Sequence, residues 1–216
     1  MQVGMLSVTS FVENVYFVTD EESKEGIIID AGGEPERILA AVKELGVTVK
    51  YLLDTHGHID HVGGVKKVRE ATGARYAIHT NDVAMTQLAP AEYVYRLIPD
   101  YENPPQPDFL LKDGDALNFG GLSVRVIETP GHTMGSTCLL VNGLLFAGDT
   151  LFAESVGRTD LPGSSTAALV KSIQGKLFAL PEETIVLPGH GPQTTIGHER
   201  VNNPFVGSRA TRPLGK

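Results

Sequence analysis

Apolar and polar positions alternate near the start of the chain. Val3 to Val8 and Asn14 to Thr19 read as two strands joined by a short turn. Gly26-Ile27-Ile28-Ile29-Asp30 is apolar without alternation, which predicts a strand covered on both faces. Ala31-Gly32-Gly33 breaks it. From Glu34 to Leu45 the spacing becomes helical, with Ile38, Leu39, Val42 and Leu45 on one stripe and Gly46 as the stop. Val47 to Leu53 predicts a strand, Val62 to Ala71 a helix closed by Gly73, Arg75 to His79 a short strand, and Asp82 to Leu88 another helix. Pro99, Pro104, Pro105 and Pro107 make Ile98 to Asp108 a loop. The second half opens with strands at Ala116 to Phe119, Leu122 to Thr129, Thr137 to Val141 and Leu144 to Ala147. A helix over Ser165 to Phe178, a last strand over Thr184 to Leu187 and an irregular tail from Pro204 follow. Both halves run strands first and helices after. Two sheets packed together with helices outside, four layers in one domain spanning residues 1–216, is the architecture this order predicts. There is no short-period repeat and no linker.

Composition narrows the class. The chain has 216 residues, 41% of them apolar and 20% charged, ordinary for a globule with a real core. A formal net charge of -8 disfavours a nucleic-acid-binding face. The single cysteine, Cys138, excludes an internal disulfide and reads as a buried strand residue. Met1 to Ser10 has neither a basic start nor a long apolar run, so neither a signal peptide nor a transmembrane helix is expected. The expected setting is cytoplasmic, without membrane association.

The chemistry concentrates in Thr55-His56-Gly57-His58-Ile59-Asp60-His61, four metal-binding side chains between a strand and a helix. His132 lies in Thr129-Pro130-Gly131-His132-Thr133, His190 in Leu187-Pro188-Gly189-His190-Gly191, and Asp149 follows Leu145-Phe146-Ala147-Gly148. Strand ends followed by tight turns are where scaffolds carry functional groups. Imidazoles and carboxylates without thiolate suit zinc first, with iron or manganese as alternatives. If Thr55 to Asp60 is extended, His56, His58 and Asp60 point one way and His61 another. One stretch then serves two divalent ions. His56, His58 and His132 would hold the first, Asp60, His61 and His190 the second, and the two oxygens of Asp149 would bridge them. Two ions about 3.5–4 Å apart share and activate a hydroxide near neutral pH.

Each residue alone has a plainer explanation. Asp60 could be the N-cap of the helix at Val62, His132 and His190 turn residues, and Asp149 a strand end. Together these fail to explain a four-ligand cluster plus three further strand-end candidates. His79 reads as structural. His198, in Ile196-Gly197-His198-Glu199-Arg200, rivals His190, but an apolar strand leads directly into His190. Asp30 is either a group orienting the ligands or a turn residue.

The set Thr55 to His61, Pro130-Gly131-His132, Gly148-Asp149 and Pro188-Gly189-His190 resembles the metallo-β-lactamase superfamily, which implies an α/β fold, the αββα sandwich, with a metal site along one edge of the two sheets. Gly148-Asp149-Thr150-Leu151-Phe152, Val156-Gly157-Arg158-Thr159-Asp160-Leu161-Pro162-Gly163 and Pro188-Gly189-His190-Gly191-Pro192 look like the glyoxalase II (hydroxyacylglutathione hydrolase) group, and more closely its short bacterial branch. The resemblance implies the two sites above with Asp149 bridging. It also implies hydrolysis of a thioester such as S-lactoylglutathione by a metal-bound hydroxide, with Asp149 or Asp60 receiving its remaining proton. Arg158 is the candidate for an anionic end of the substrate. Full-length members add a C-terminal helical domain, an aromatic where this chain has Asp160, and a glutathione-binding tyrosine where it has Pro192. Asp160 is expected to pair with Arg158 instead. An iron-dependent persulfide dioxygenase and a lactonase or β-lactamase-like hydrolase are the competing readings. Expected partners are a small-molecule thioester and, through the tail from Pro204, a second copy of the chain.

Overall fold

A computed structural model describes residues 1–88, 91–212 and 214. The first sheet holds β1 (Gln2–Val8), β2 (Glu13–Thr19), β3 (Glu25–Ile29), β4 (Thr48–Leu53), β5 (Arg75–His79) and β6 (Phe109–Leu111), side by side in chain order. β1, β2 and β3 are antiparallel, whereas β3 to β6 run parallel. The parallel pairs need crossovers, and α1 (Pro35–Leu45), α2 (Ile59–Val62), α3 (Val65–Thr72), α4 (Thr80–Thr86) and α5 (Val94–Leu97) lie in them.

The second sheet comprises β7 (Ala116–Phe119), β8 (Leu122–Glu128), β9 (Thr137–Val141), β10 (Leu144–Gly148), β13 (Ile185–Pro188) and β14 (Thr194–Thr195). Its order is β14-β13-β10-β9-β8-β7. Between β10 and β13 the chain makes a small hairpin, β11 (Leu151–Phe152) with β12 (Ser155–Val156), then α6 (Thr166–Gly175) and a 3-10 turn over Leu177–Ala179. Helix α7 (Ile196–Asn202) follows β14.

Period-two alternation explains the layering. In β2, Tyr16 and Val18 enter the core between the sheets, while Val15 and Phe17 face the helical layer. In β3, Ile27 and Ile29 face inward and Ile28 outward, so the uninterrupted apolar run is covered on both faces. From the second sheet Val124, Val126, Leu139, Val141, Phe146 and Leu187 complete the central core. Ile38 of α1 and Val65 and Val68 of α3 cover the outer face of the first sheet. Leu169 and Ile173 of α6 and Ile196 of α7 cover the second. The result is the αββα sandwich.

Several local expectations need correction. The helix expected over Val62 to Ala71 starts earlier, at Ile59, and is broken at Gly63–Gly64 into α2 and α3. The helix expected over Ser165 to Phe178 ends at Gly175 and tightens into the 3-10 turn. β6, the β11–β12 hairpin, β14, α5 and α7 carry two to seven residues each. These are too short for a periodic signal. The tail from Pro204 is irregular but folds back on its own chain. Val206 is buried under α6 and α7, and Ser208 and Arg209 donate their backbone N–H to Arg200 and Val201. Among the described residues no helix is long and apolar enough to cross a membrane.

Candidate metal centre

β4 ends at Leu53, and the next eight residues turn across the open edge of the sandwich. His58 is the last extended residue, and the chain turns into α2 at Ile59. Asp60 therefore sits in a helical turn, neither extended nor capping. This corrects the expectation that it points the same way as His56 and His58. The turn sends Asp60 and His61 toward β13, whereas His56 and His58 face the loop after β8.

His56, His58 and His132 form one group. His58 Nδ1 lies 3.1 Å from His56 Nε2 and 2.9 Å from His132 Nε2. Asp60, His61 and His190 form the other, with Asp60 Oδ2 at 3.3 Å from His190 Nε2 and 3.8 Å from His61 Nε2. Asp149 stands between them. Its Oδ1 is 3.5 Å from His61 Nε2 and 3.7 Å from His190 Nε2, while its Oδ2 is 3.6 Å from His132 Nε2. Gly148 makes that position reachable. It holds φ +47°, and a Cβ there would meet Thr55 Oγ1 at 2.3 Å, so the end of β10 passes against the end of β4 only without a side chain.

Four of the five imidazoles are anchored through Nδ1, which settles what Nε2 presents. His61 Nδ1 faces Asp30 Oδ2 at 3.0 Å; a carboxylate oxygen accepts, so Nδ1 carries a proton and Nε2 is the ring position left for a cation. His132 Nδ1 donates to the Arg158 carbonyl at 2.9 Å, and His190 Nδ1 to the Phe11 carbonyl at 3.1 Å. His56 Nδ1 meets Thr55 Oγ1 at 3.1 Å, and that hydroxyl gives its own hydrogen to Asp30 Oδ2 at 2.7 Å. Asp30 thus supports two of the histidines. Lone pairs and carboxylate oxygens converge with nothing between them to donate. His61 Nε2 and Asp149 Oδ1 are buried without a hydrogen-bond partner, an expensive arrangement unless a cation lies between them.

Electrostatics split the two groups. Burial, then the neighbouring imidazoles, hold His56 well below the ordinary histidine range and bring His58 to about 4, the neutral form that binds metal. In the second group burial also works against charge, but Asp149, Asp60 and Asp30 outweigh it and raise His61. Burial would lift Asp60, yet His61 and His190 hold its carboxyl below the usual range. Burial raises Asp149. One group is an all-nitrogen neutral set; the other is carboxylate-rich and draws positive charge. The donor set fits two adjacent divalent cations.

The other sequence candidates fall elsewhere. His198 is partly exposed on α7, where its Nε2 meets Glu154 Oε1 at 3.1 Å, away from both groups. His79 accepts from Asn81 N–H to cap α4 and faces Glu128 Oε1 at 3.0 Å. Arg158 pairs with Asp160 through two contacts of 2.7 and 2.8 Å, with 62% of its side chain exposed. Cys138 is buried on β9, with its thiol pushed up to about 11. Sequence reasoning missed Glu13, Asn14 and Tyr16. Asn14 Nδ2 donates to the Pro188 and Gly191 carbonyls at 3.1 and 3.0 Å and Tyr16 Oη to Pro188 at 2.8 Å, so β2 clamps the loop that carries His190. Glu13, fully buried behind His61, has neither oxygen partnered.

A family model for the metallo-beta-lactamase superfamily matches residues 8–190. The chain belongs to the metallo-beta-lactamase superfamily. Within it, the chain is 33% identical to the hydroxyacylglutathione hydrolase GloC of Haemophilus influenzae over 97% of its own length and 100% of that protein. Among solved structures it is similar to the BLEG-1 B3 metallo-beta-lactamase, with TM-score 0.86 and 35% identity over 95% of this chain and 99% of that one. It is also similar to TTHA1623 in a di-iron-bound form, with TM-score 0.83 and 37% identity over 93% and 98%. Superfamily membership together with the His/Asp cluster makes the chain a metal-dependent hydrolase with a centre suited to two ions.

Proposed function

We propose that this chain is a thioesterase of the glyoxalase II type, hydrolysing S-lactoylglutathione or a closely related 2-hydroxyacyl thioester. The observation that carries the reading is the placement of Asp149 with one oxygen toward each ligand group. Likeness to GloC over the full length of both chains favours a thioester over other carbonyl substrates.

In this reading His56, His58 and His132 would hold one ion and Asp60, His61 and His190 the other, with Asp149 contributing a carboxylate oxygen to each group. Zinc is the first choice, with iron or manganese as alternatives. Bound ions would supply Lewis acidity toward the carbonyl and a water of lowered pKa. The protein does the rest. Asp30, Thr55 and the Arg158 and Phe11 carbonyls fix His56, His61, His132 and His190 with Nδ1 outward and Nε2 inward, while His58 turns its Nδ1 inward. Asp60 and Asp149 are the carboxylates placed to take up the proton left when water adds to the carbonyl carbon. The departing thiolate derives from a thiol of pKa about 8.5 and needs no dedicated acid. Arg158 meets an anionic end of the substrate by exchanging Asp160 for a substrate carboxylate. Without an aromatic at Asp160 or Pro192 the thiol part is held by fewer contacts, so a high KM for glutathione thioesters is expected.

The test couples elemental analysis of purified protein to three assays: S-lactoylglutathione turnover, oxygen uptake with glutathione persulfide, and ring opening of a lactone and a β-lactam. Thioester turnover exceeding the other activities by at least about 100-fold in kcat/KM, a gap of some 2.7 kcal/mol in barrier, is the expected outcome. Oxygen uptake with iron as the bound metal would replace the proposal with a persulfide dioxygenase, and dominant ring opening with a lactonase or β-lactamase.

A further inference from the structure

Asp82 stands in α4, outside the seven candidate ligands, and is 1% exposed. All its hydrogen bonds from other segments come from the two loops of the three-histidine group. Its Oδ2 accepts the backbone N–H of Gly57 at 2.9 Å and the hydroxyl of Thr133 at 2.7 Å. Its Oδ1 accepts the backbone N–H of Gly135 at 2.8 Å. Gly57 lies between His56 and His58, and Thr133 directly follows His132. One carboxylate therefore ties together the loop after β4 and the loop after β8, which belong to different sheets. Both loops are drawn in to the limit of contact. A Cβ at Gly57 would meet Met85 Cγ at 2.7 Å, and one at Gly135 would meet Asp82 Cγ at 2.6 Å. The other backbone link between the two loops, Thr137 N–H to the Thr55 carbonyl at 2.8 Å, lies on the strand side of the histidines and leaves their tips free to separate.

We propose that Asp82 is a positioning residue that sets the separation of His58 and His132, and with it the affinity of the three-histidine site for its ion. The Asp60-His61-His190 site does not depend on it. That group is held by Asp30, by the Phe11 carbonyl and by the Asn14 clamp on the loop of β13. A carboxylate suits the task because three donors converge on it and it has only acceptor positions. An asparagine of the same shape would turn an NH2 toward one of them. The proposal rests on these histidines being metal ligands.

The experiment titrates metal-stripped protein with Co2+, reading d–d absorbance and ions bound per chain, and compares wild type, Asp82→Asn, Thr133→Val and Ile38→Ala. Ile38, on α1, is buried in the apolar layer over the outer face of the first sheet and is outside both loops in sequence, so it reports loss of stability alone. Two equivalents are expected to bind wild type and Ile38→Ala alike. In Asp82→Asn one equivalent should weaken by about 10–100-fold while the other stays within about threefold of wild type. Thr133→Val, which removes one of the three bonds, should shift the same equivalent by a smaller factor, and it carries the test if Asp82→Asn fails to fold. Equal weakening of both equivalents, or no weakening of either, overturns the positioning role. Wild type that binds fewer than two Co2+ overturns the ligand assignment itself.

Discussion

Asp149 is the residue on which most of the site's geometry turns. Its two oxygens face opposite ligand groups, and one of them has no hydrogen-bond donor. Asp149→Ala should therefore lower metal content and S-lactoylglutathione turnover together, the latter by at least about 100-fold. Elemental analysis and a thioester assay check this, with circular dichroism confirming the fold. Full metal with near-normal turnover would refute the bridging role. Tyr76 makes a purely structural case. Its hydroxyl donates to Asp54 Oδ2 at 2.8 Å, deep in the first sheet, and the other oxygen of Asp54 is unpartnered. Tyr76→Phe strands the whole carboxylate and should cost about 1–3 kcal/mol in urea denaturation. The seven ligand candidates were legible in the sequence because four crowd into Thr55 to His61 after an apolar strand and His132, Asp149 and His190 each follow a glycine at the end of an apolar run. Asp82, Asn14 and Tyr16 were not, because nothing in Thr80-Asn81-Asp82 or Asn14-Val15-Tyr16 shows which distant backbone groups they will meet.

Among the elements, the turns at the closed end of the sandwich hold the sheets in register. Asp20 and Glu25 flank the β2–β3 turn, and their carboxylates accept the backbone N–H groups of Gly121 and Gly120 in the β7–β8 turn at 2.9 and 2.6 Å. The Gly121 N–H and the Ser23 hydroxyl hold the Asp20 carboxyl down to about 2 from an ordinary 3.8. Glu25 is lowered by Gly120 and Lys50. A carboxyl depressed in the folded state stabilises above its unfolded value, and that contribution disappears as pH falls through the folded one. Asp20→Asn should therefore flatten the decline in stability between pH 3.8 and about 2, measured as urea midpoints across that range. An unchanged slope would show that the inter-sheet contact does not couple to folding. α7 supplies a simpler test. Thr195 Oγ1 accepts His198 N–H at 3.1 Å to cap it, so Thr195→Ala should cost about 1 kcal/mol. The seven-residue strand β2 and the 11-residue helix α1 announced themselves by period, and the five-residue β3 by its unbroken apolar run. The break between α2 and α3 is tertiary, because Gly63 and Gly64 pass against the Gly32 and Ala31 carbonyls, within 2.7 and 3.0 Å of where a Cβ would lie.

For the molecule as a whole, the centre joins the two sheets at their shared open edge, so whatever binds there braces the sandwich. Metal bound to the folded state alone adds stability by mass action, about 2.7 kcal/mol at one hundred times Kd. Purified protein should melt several degrees lower after chelation and recover on adding Zn2+. An unchanged Tm, with metal shown to leave, would mean the sheets hold without it. The chain by itself determined the local pieces: strand and helix period, the glycine and proline stops, and the chemical character of the donor set, because each depends on neighbours within a few positions. It also determined the family, since spacing within motifs is carried in the linear order. The grouping of the imidazoles was read from the chain, but the direction of Asp60 was decided only when α2 turned it with His61 away from His56 and His58. The support from Asp30, Asp82 and Asn14 comes from residues 25 to 177 positions away, and the carbonyls that orient His132 and His190 lie 26 and 179 positions away. Contacts at that separation leave no periodic trace, because they follow from how two sheets pack and not from how any one segment is patterned.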